Sequence, residues 1–213
     1  MKISIYGMGY VGVVSAACLA QRGHTIIGID PIESKVNDLS KGQTPIQEPG
    51  VAELLRIGYT EGNLFASTNP ADGVQSADMI WVCVGTPSSL EKGLDLSHVE
   101  SVSSEIGLAL KQVENRPLLV YRSTMLPGSM QSSVIPALEK SSGMKAGVDF
   151  HVVFHPEFLR ESSAVFDFDQ PPKIVTGELK PGTSQLLSEL YSDFDAPKFN
   201  LSLGEAEMVK YAD

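Results

Sequence analysis

The sequence contains little cysteine and no long apolar run, and each shortage excludes a class of protein. Cysteine occurs at two of 213 positions, Cys18 and Cys83, and both lie within apolar runs. Two such cysteines predict small buried side chains in a reducing, cytoplasmic compartment rather than a disulfide framework. No stretch is apolar and long enough to cross a bilayer, so we expect no membrane partner.

Positive charge is also scarce. The chain has 16 Lys and Arg residues against 26 Asp and Glu residues, which gives a net charge of −10. A nucleic-acid-binding protein carries a basic face, so we expect no nucleic-acid partner. The apolar residues 3–20 follow Lys2 as they would in a signal peptide, but glycines interrupt them and no cleavage region follows. A signal peptide is therefore disfavoured.

What the sequence does contain is an alternation of short β-rich runs with helical stretches. This alternation predicts an α/β fold, a Rossmann-type, doubly wound and mostly parallel sheet with helices on both faces. The expected strands are residues 3–6, 25–29, 79–84, 118–121, 150–154 and 174–176. The expected helices are residues 10–22, 34–40, 48–57, 97–112, 127–140 and 183–194, with Ser97 as the N-cap of the fourth.

A last helical pattern begins near Leu203 and continues to Asp213. Its apolar residues Met208 and Tyr211 need a partner surface. We therefore expect residues 1–202 to form one domain. Residues 203–213 are expected to begin a helix that connects this domain to further domains outside the chain.

The residues between the first strand and the first helix fit the pattern G-x-G-x-x-G. The pattern consists of Gly7, Met8, Gly9, Tyr10, Val11 and Gly12. Such triplets occur by chance, but this one follows a predicted strand and opens a predicted helix within a βαβ unit. The first glycine permits a tight turn, the second lets the backbone approach a diphosphate, and the third allows close helix–strand packing. The helix N-terminus then attracts the phosphates, so we predict a dinucleotide site.

Asp30 ends the second predicted strand, close to the offset expected for the acid that binds the adenosine ribose. A carboxylate there repels a 2′-phosphate, so the predicted cofactor is NAD rather than NADP. Lys35, in the following helix, is placed to contact the same cofactor. The alternative is a glycine turn with an ordinary surface aspartate, which the combination of strand, turn, helix and acid disfavours.

Polar residues follow three of the other predicted strands, and among them are Thr86, Thr124 and Glu157. In an open α/β sheet, ligands bind at the carboxyl ends of the strands. Thr86 and Thr124 are therefore candidates for hydrogen bonds to a cofactor or substrate. Local turns and helix caps use the same residue types and explain both threonines equally well.

Three charged residues carry weaker signals. Glu157 and Glu161 share a face if their segment is helical, which suits a general base or a hydroxyl-binding site, but a solvated acidic face is the commoner explanation. Lys210, on the last helix, is by the same standard a solvated cation. The histidines show no metal-ligand spacing, so we predict no metal. They are His24, His98, His151 and His155.

Six segments together carry a resemblance to a known family. They are YGMGYVG at 6–12, TPIQEPG at 44–50, VCVGTP at 82–87, RSTMLPG at 122–128, HPEFLRE at 155–161 and EMVKYAD at 207–213. With these segments in register over essentially the whole chain, the sequence resembles the nucleotide-sugar 6-dehydrogenases, which include UDP-glucose and GDP-mannose dehydrogenases.

Within that family, the GDP-mannose enzymes are the better match. LDLSHVE at 94–100, RSTMLPGS at 122–129, residues 134–150 and RESSAVFDFDQPP at 160–172 all resemble them. UDP-glucose enzymes more often have a KSTVPVGT-like loop, a glycine after the R-E pair and an Asp in a later P-D-R-I-V segment. This chain has Ser162 and Pro172-Lys173 at the last two places. UDP-glucose remains the alternative substrate.

The resemblance implies a four-electron oxidation of a sugar C6 alcohol to a carboxylate, with two NAD molecules reduced and a cysteine thioester hydrolysed by water. It implies that Tyr10, Val11, Asp30, Lys35, Thr86 and Thr124 contact NAD. It places the sugar nucleotide against Glu161 and Lys210, and it makes Glu157 the expected general base. Lys210 and Thr124 then also belong to the catalytic set, since the Lys210 cation can stabilise developing oxyanion charge. Relatives assemble as homo-oligomers through the helix that begins near residue 203.

One departure from the family pattern is important. The family's nucleophilic cysteine lies in a G-G-S-C-type motif further along, and no such motif occurs in this chain. Neither Cys18 nor Cys83 is expected to replace it, so this chain alone should be inactive. Two other interpretations remain, a stand-alone NAD-binding regulatory module and a β-hydroxyacid-type dehydrogenase. The helix that is still running at Asp213 disfavours the first, and the segment PEFLRE disfavours the second.

Overall fold

A computed structural model describes residues 1–89 and 93–213. In these ranges the strands are β1 Lys2–Tyr6, β2 Thr25–Ile29, β3 Leu64–Ser67, β4 Met79–Val82, β5 Ser88–Ser89, β6 Gly93–Leu94, β7 Leu118–Tyr121, β8 Val152–Phe154, β9 Ile174–Glu178 and β10 Lys198–Ser202. The α-helices are α1 Tyr10–Gln21, α2 Glu33–Leu39, α3 Val51–Thr60, α4 Ser97–Leu110, α5 Ile135–Ser142, α6 Ala164–Asp169, α7 Gln185–Leu190 and α8 Leu203–Ala212. A 3₁₀ turn covers Pro70–Gly73, and a π-helical turn covers Met130–Val134.

The main sheet has eight strands in the order β10-β9-β8-β7-β4-β1-β2-β3. Neighbours are parallel from β3 across to β8, whereas β9 is antiparallel to β8 and β10 is parallel to β9. Strand order reverses between β1 and β4, where a doubly wound sheet forms its ligand crevice at the carboxyl ends. The predicted mostly parallel, Rossmann-type sheet is confirmed. β5 and β6 form a separate antiparallel pair.

Helices cover both faces of the sheet because strand side chains point alternately to one face and the other. Ile3 and Trp81 belong to a core shared with α1, α3, α6 and α7. Ile80 and Val82 belong to the opposite core, shared with α4, α5 and α8. α1 is buried from Gly12 to Ala20 and consists largely of small residues, so it packs directly against the sheet at the centre of the molecule.

Several local predictions were wrong. Ser97 begins α4 but is not its N-cap, because the cap position is Leu96 and Asp95 Oδ1 accepts the Ser97 N–H at 2.9 Å. The expected helix 127–140 starts as a π-helical turn and becomes α-helical only at Ile135. The expected strand 79–84 ends at Val82. All three differences lie at element ends, and at Ser97 a side-chain bond to the backbone competes with regular structure.

The elements β3, β10 and α6 were not predicted. Four of the five residues of β10 are exposed at the edge of the sheet, so the strand lacks the apolar alternation that sequence patterns detect. β3 has four residues and α6 has six, which is too short for a clear period.

α8 begins at Leu203, as predicted, because a capping box defines its start. Ser202 Oγ accepts the Glu205 N–H, and Glu205 Oε2 accepts the Ser202 N–H at 2.9 Å. The helix packs on β8, β9 and β10. Among the described ranges, no helix has the length and apolar character needed to cross a membrane.

Candidate functional site

The glycine-rich turn between β1 and α1 forms the centre of the site. Gly7 has a φ of +92°, a conformation that favours glycine, and a Cβ there would lie 2.9 Å from Val84. A Cβ at Gly12 would lie 2.0 Å from the Gly7 oxygen, so α1 approaches the turn this closely only because Gly12 has no side chain. A Cβ at Gly9 would meet nothing within 4 Å. Space for a ligand therefore remains in front of the turn.

The N-terminus of α1 faces this space. The helix has no side-chain N-cap and no acidic residue in its first turn. The first N–H groups of a helix lack intrahelical acceptors, and the helix dipole favours an anion beside them. Tyr10 and Val11, the first two helical residues, are only partly buried. Their position suits backbone contacts with a phosphate.

Asp30 lies directly after β2, as predicted, and is 4% exposed. Its Oδ2 accepts the Met8 N–H at 2.8 Å and a proton of the Lys35 ammonium group at 3.0 Å. Its Oδ1 accepts the Ile32 N–H at 3.0 Å. The carboxylate thereby ties the glycine-rich turn to the start of α2, and Lys35 lies beside it as an ion-pair partner.

A cavity of about 450 Å³ opens at the carboxyl ends of β1, β2 and β4. Gly7, Gly9, Asp30 and Lys35 line it on one side, and α4 lines it on the other. A dinucleotide needs a backbone approach for its diphosphate and an acceptor for its ribose hydroxyls. The open space at Gly9 meets the first need and the Asp30 carboxylate the second, so the residues present fit NAD.

The loops that follow β4 and β7 meet at the same edge. Thr86 Oγ1 donates to the Thr124 carbonyl oxygen at 2.6 Å, and Ser123 Oγ donates to the Val84 carbonyl oxygen at 2.6 Å. The structure therefore brings the two predicted threonines together at neighbouring strand ends. The Thr86 hydroxyl proton is used in this contact between the two loops, which leaves the Thr86 hydroxyl oxygen as an acceptor.

α8 brings Lys210 to the loop that follows β8. Lys210 Nζ donates to the Glu157 carbonyl oxygen at 2.6 Å and to Glu157 Oε1 at 2.8 Å. The two side chains are 20% and 11% exposed, so the pair is largely withdrawn from water. Glu157 Oε2 accepts the Leu159 N–H at 2.8 Å. Lys210 is thus a member of a defined ion pair rather than a solvated cation.

The segment that holds Glu157 and Glu161 is not helical, so the two residues do not share a helix face. Residues 155–160 are irregular, and residues 161–163 form a turn. The backbone N–H groups of Ser162 and Ala164 bond to the side chain of Glu48 instead of to preceding carbonyl groups. Glu161 is consequently exposed, whereas Glu157 lies half-buried against Lys210.

A buried arginine next to the site was given no role in the sequence analysis, although it begins the segment RSTMLPG. Arg122, directly after β7, is 5% exposed, and its guanidinium carbon lies 4.6 Å from the centroid of the Trp81 ring. Burial and the Arg122 charge hold the pKa of His155 well below its usual value. Neutral His155 donates from Nδ1 to the Val175 carbonyl at 2.7 Å and accepts the Tyr191 hydroxyl at Nε2 at 2.9 Å. His155 therefore stabilises the sheet by linking Val175 of β9 to Tyr191.

A second missed residue is Glu207 on α8, which is fully buried. Its carboxylate accepts the N–H groups of Gly128 at 2.6 Å and Met130 at 2.8 Å, and burial raises the pKa of this carboxyl. Glu207 therefore joins the helix of Lys210 to the loop of Thr124. A charged residue on the apolar side of a helical pattern is the signal that would have found it.

Both cysteines are buried, and burial raises the pKa of each thiol to about 12. The nucleophilic form of cysteine is the thiolate, so neither Cys18 nor Cys83 is suited to covalent catalysis. In the described ranges, no group of three or more His, Cys, Asp or Glu residues is arranged to hold a metal ion.

Comparison with known proteins assigns this site to a family. Residues 1–195 match the UDP-glucose/GDP-mannose dehydrogenase family, NAD binding domain. The chain belongs to this family. Its cofactor is NAD, in agreement with the glycine-rich turn and Asp30.

Relatives of known activity extend well beyond the matched region. GDP-mannose 6-dehydrogenase from Pseudomonas putida is 47% identical over 211 residues, which are 99% of this chain and 48% of that protein. A UDP-glucose 6-dehydrogenase from Haloferax volcanii is 34% identical over 218 residues, which cover 100% of this chain and 50% of that protein. The chain therefore spans about half the length of the curated relatives it matches.

Solved structures agree with the sequence comparison. A crystal structure of a ternary complex of GDP-mannose dehydrogenase from Pseudomonas aeruginosa has a TM-score of 0.97 at 47% identity, over 100% of this chain and 49% of that one. A UDP-glucose dehydrogenase from Pyrobaculum islandicum has a TM-score of 0.93 at 36% identity, over 99% of this chain and 48% of that one.

Proposed function

We propose that the protein containing this chain oxidises the C6 alcohol of GDP-mannose to a carboxylate with NAD as oxidant. The observation that carries the proposal is that a dinucleotide cavity and the Lys210–Glu157 pair both lie at the edge of the sheet formed by the carboxyl ends of its parallel strands. Identity of 47% to a GDP-mannose 6-dehydrogenase, against 34% to a UDP-glucose 6-dehydrogenase, favours GDP-mannose as the substrate.

The proposed NAD contacts lie along the carboxyl ends of β1, β2, β4 and β7. They are Gly7, Gly9, Tyr10, Val11, Gly12, Asp30, Lys35, Thr86 and Thr124. When bound, NAD supplies the hydride acceptor. The α1 N-terminus would hold the diphosphate, Asp30 would accept hydrogen bonds from the adenosine ribose, and the two threonines would contact the cofactor at the ends of β4 and β7.

The substrate side of the proposal rests on the donors that Lys210 retains. A lysine ammonium group has three N–H donors, and Glu157 accepts two of them here. The third is available to an oxygen of the sugar nucleotide, where the positive charge stabilises a developing oxyanion. Exposed Glu161 is placed to accept hydrogen bonds from substrate hydroxyls.

Glu157 is the proposed general base of the hydrolytic step. It takes a proton from the water that attacks the thioester. In the net reaction, one alcohol, one water and two NAD⁺ give one carboxylate, two NADH and three protons. Cys18 and Cys83 are both buried, and burial raises the pKa of each thiol, so we propose that residues outside this chain supply the nucleophilic cysteine.

We further propose the arrangement of the whole protein. Residues 1–202 form its NAD-binding domain, and α8 begins the helix that connects to the remaining domains. Met208 and Tyr211 of α8 are exposed apolar residues, which supports a homo-oligomer assembled through this helix. The buried thiols suit a reducing, cytoplasmic setting.

The test is a stoichiometric assay of the complete gene product. We expect two NADH per GDP-mannose consumed, with no NADH formed from UDP-glucose under the same conditions. Lys210→Ala, which removes the proposed oxyanion contact, should lower kcat by at least about a hundredfold. Exposed Lys111→Ala is the matched control and should leave kcat unchanged. Oxidation of UDP-glucose but not GDP-mannose would overturn the substrate. NAD binding without oxidation of either sugar would instead indicate a regulatory module.

A further inference from the structure

The buried carboxylate of Glu48 has no role in the proposed function, yet it joins three parts of the site. Glu48 lies in the loop between α2 and α3 and is 8% exposed. Its Oε2 accepts the Tyr10 hydroxyl proton at 2.6 Å and the Ser162 N–H at 2.8 Å. Its Oε1 accepts the Ala164 N–H at 2.9 Å. Glu48 thus connects the first residue of α1 to the turn at Ser162, which lies 114 residues after Glu48 in the chain.

The turn that Glu48 holds is strained. Ser162 has a φ of +73°, the only positive value at a non-glycine residue in the described ranges. A side chain crowds its own backbone in this conformation, so the surroundings must hold the residue there. The N–H groups of Ser162 and Ala164 both donate to Glu48. These hydrogen bonds hold the backbone before and after the strained torsion of Ser162. The carboxylate is therefore the clearest source of the restraint.

The strained residue directly follows Glu161. The backbone conformation of Ser162 sets the direction in which the chain enters and leaves this turn, and so the position of the Glu161 side chain. On the opposite side of Glu48, the Tyr10 hydroxyl also lies 3.4 Å from the Arg160 carbonyl oxygen. These contacts hold the turn against the N-terminus of α1.

We propose that Glu48 is a positioning residue that keeps Ser162 in its left-handed conformation and thereby sets Glu161 against the N-terminus of α1. The inference rests on the proposed role of Glu161 in binding the sugar nucleotide. Glu48 does not line the dinucleotide cavity, and its contacts are with donors of this chain. It acts through Glu161 and Tyr10, without touching the reacting atoms.

The test is a double-mutant cycle in the complete gene product. Glu48→Gln keeps the size of the side chain but replaces one acceptor oxygen with an NH₂ donor, so an N–H group of the turn loses its acceptor. Ser162→Gly makes the left-handed conformation an ordinary one. We expect Glu48→Gln to raise the KM for GDP-mannose at least tenfold, with less than a threefold change in kcat. Adding Ser162→Gly should return KM to within threefold of the wild-type value.

Glu53→Gln is the matched control, because Glu53 is an exposed glutamate on the neighbouring helix α3 that pairs with Arg56. Its KM should stay within twofold of the wild-type value. An unchanged KM in Glu48→Gln, or an increase that Ser162→Gly does not reverse, would overturn the proposal. If Glu48→Gln does not fold, recovery of folded protein on adding Ser162→Gly supports the proposal, and failure of the double variant contradicts it.

A second measurement separates this inference from the proposed activity. Urea unfolding uses no sugar nucleotide, so it remains informative if the wild-type protein does not oxidise GDP-mannose. We expect Ser162→Gly to raise the unfolding midpoint less in the Glu48→Gln background than in the wild-type background, because without Glu48 the serine can leave the strained conformation and glycine then has less strain to relieve. Equal shifts in the two backgrounds would show that Glu48 does not hold the strained turn.

Discussion

At the scale of the residue, Asp30 shows how one carboxylate can shape a cofactor cavity and also bind within it. It accepts hydrogen bonds from Met8, Ile32 and Lys35 in the protein by itself. These bonds orient both oxygens before a ligand arrives. In the proposed site, a ribose hydroxyl would therefore meet an acceptor that needs little reorganisation, which is the physical basis of preorganised binding.

We expect Asp30→Ala to weaken NAD binding by about ten- to a hundredfold, because a hydrogen bond to a charged group contributes about 1.5–3 kcal/mol. Isothermal titration calorimetry of NAD checks this. Glu33→Ala, an exposed acid in the first turn of α2, controls for the loss of negative charge near the site and should leave the affinity unchanged. Equal affinity in wild type and Asp30→Ala would remove Asp30 from the site.

At the scale of the element, the packing of α8 depends on the buried carboxylate of Glu207. The capping box at Ser202 defines where the helix begins, but Glu207 determines what it packs against. Because Lys210 lies one helical turn after Glu207, the hydrogen bonds of Glu207 also fix the position from which Lys210 contacts Glu157. One helix thereby connects the loop after β7 with the loop after β8.

Glu207→Ala should lower the free energy of unfolding by about 2–5 kcal/mol, since it leaves the buried Met130 N–H and the half-buried Gly128 N–H without an acceptor, at up to about 1–3 kcal/mol each. Hydrogen exchange should accelerate both in α8 and in residues 124–130. Glu205→Ala, which removes only the capping box, should cost about 1 kcal/mol and affect only the first turn of α8. Unchanged exchange in residues 124–130 of Glu207→Ala would contradict this role of Glu207.

At the scale of the whole molecule, several carboxylates are shifted in pKa by their hydrogen bonds or by burial, and together they determine how stability responds to pH. Hydrogen bonds from Arg160 hold the pKa of Asp167 below its usual range, and those from Ser184 and Gly182 lower the pKa of Glu178 against the effect of its burial. Burial shifts the pKa of Glu207 in the opposite direction. The response of stability to pH is therefore a balance between these groups.

The stabilising effect of Asp167 is complete above its unfolded-state pKa of about 4, because the folded-state pKa is the lower one, and it is lost as the pH falls below that value. We expect the free energy of unfolding to fall steeply below about pH 4, and Asp167→Asn to flatten that fall. Urea unfolding at a series of pH values between about 3 and 7 tests this. The exposed control Glu114→Gln should keep the wild-type profile, and an equally steep acid loss in Asp167→Asn would contradict the assignment.

The sequence by itself determined the architecture and the cofactor. Strand and helix periods, the spacing of Gly7, Gly9 and Gly12, and the acid at the end of β2 are all local patterns, and local patterns are sufficient for a βαβ unit. The family motifs implied functional roles for Glu157 and Lys210, but not the contact between them. The edge strand β10 escaped detection because its residues are mostly exposed.

Only the tertiary structure determined which contacts each polar residue makes and therefore which role it has. Lys210 and Glu157 are 53 residues apart, Glu207 and Gly128 are 79 apart, and Glu48 and Ser162 are 114 apart. No local period links such pairs, since crossover helices bring their strand ends together only in the folded sheet. Burial in the folded protein then determines the role of each residue. Buried His155 is neutral and links neighbouring segments, and Glu48 and Glu207 hold loops in place. Lys210 pairs with Glu157 at the edge where the cofactor cavity opens.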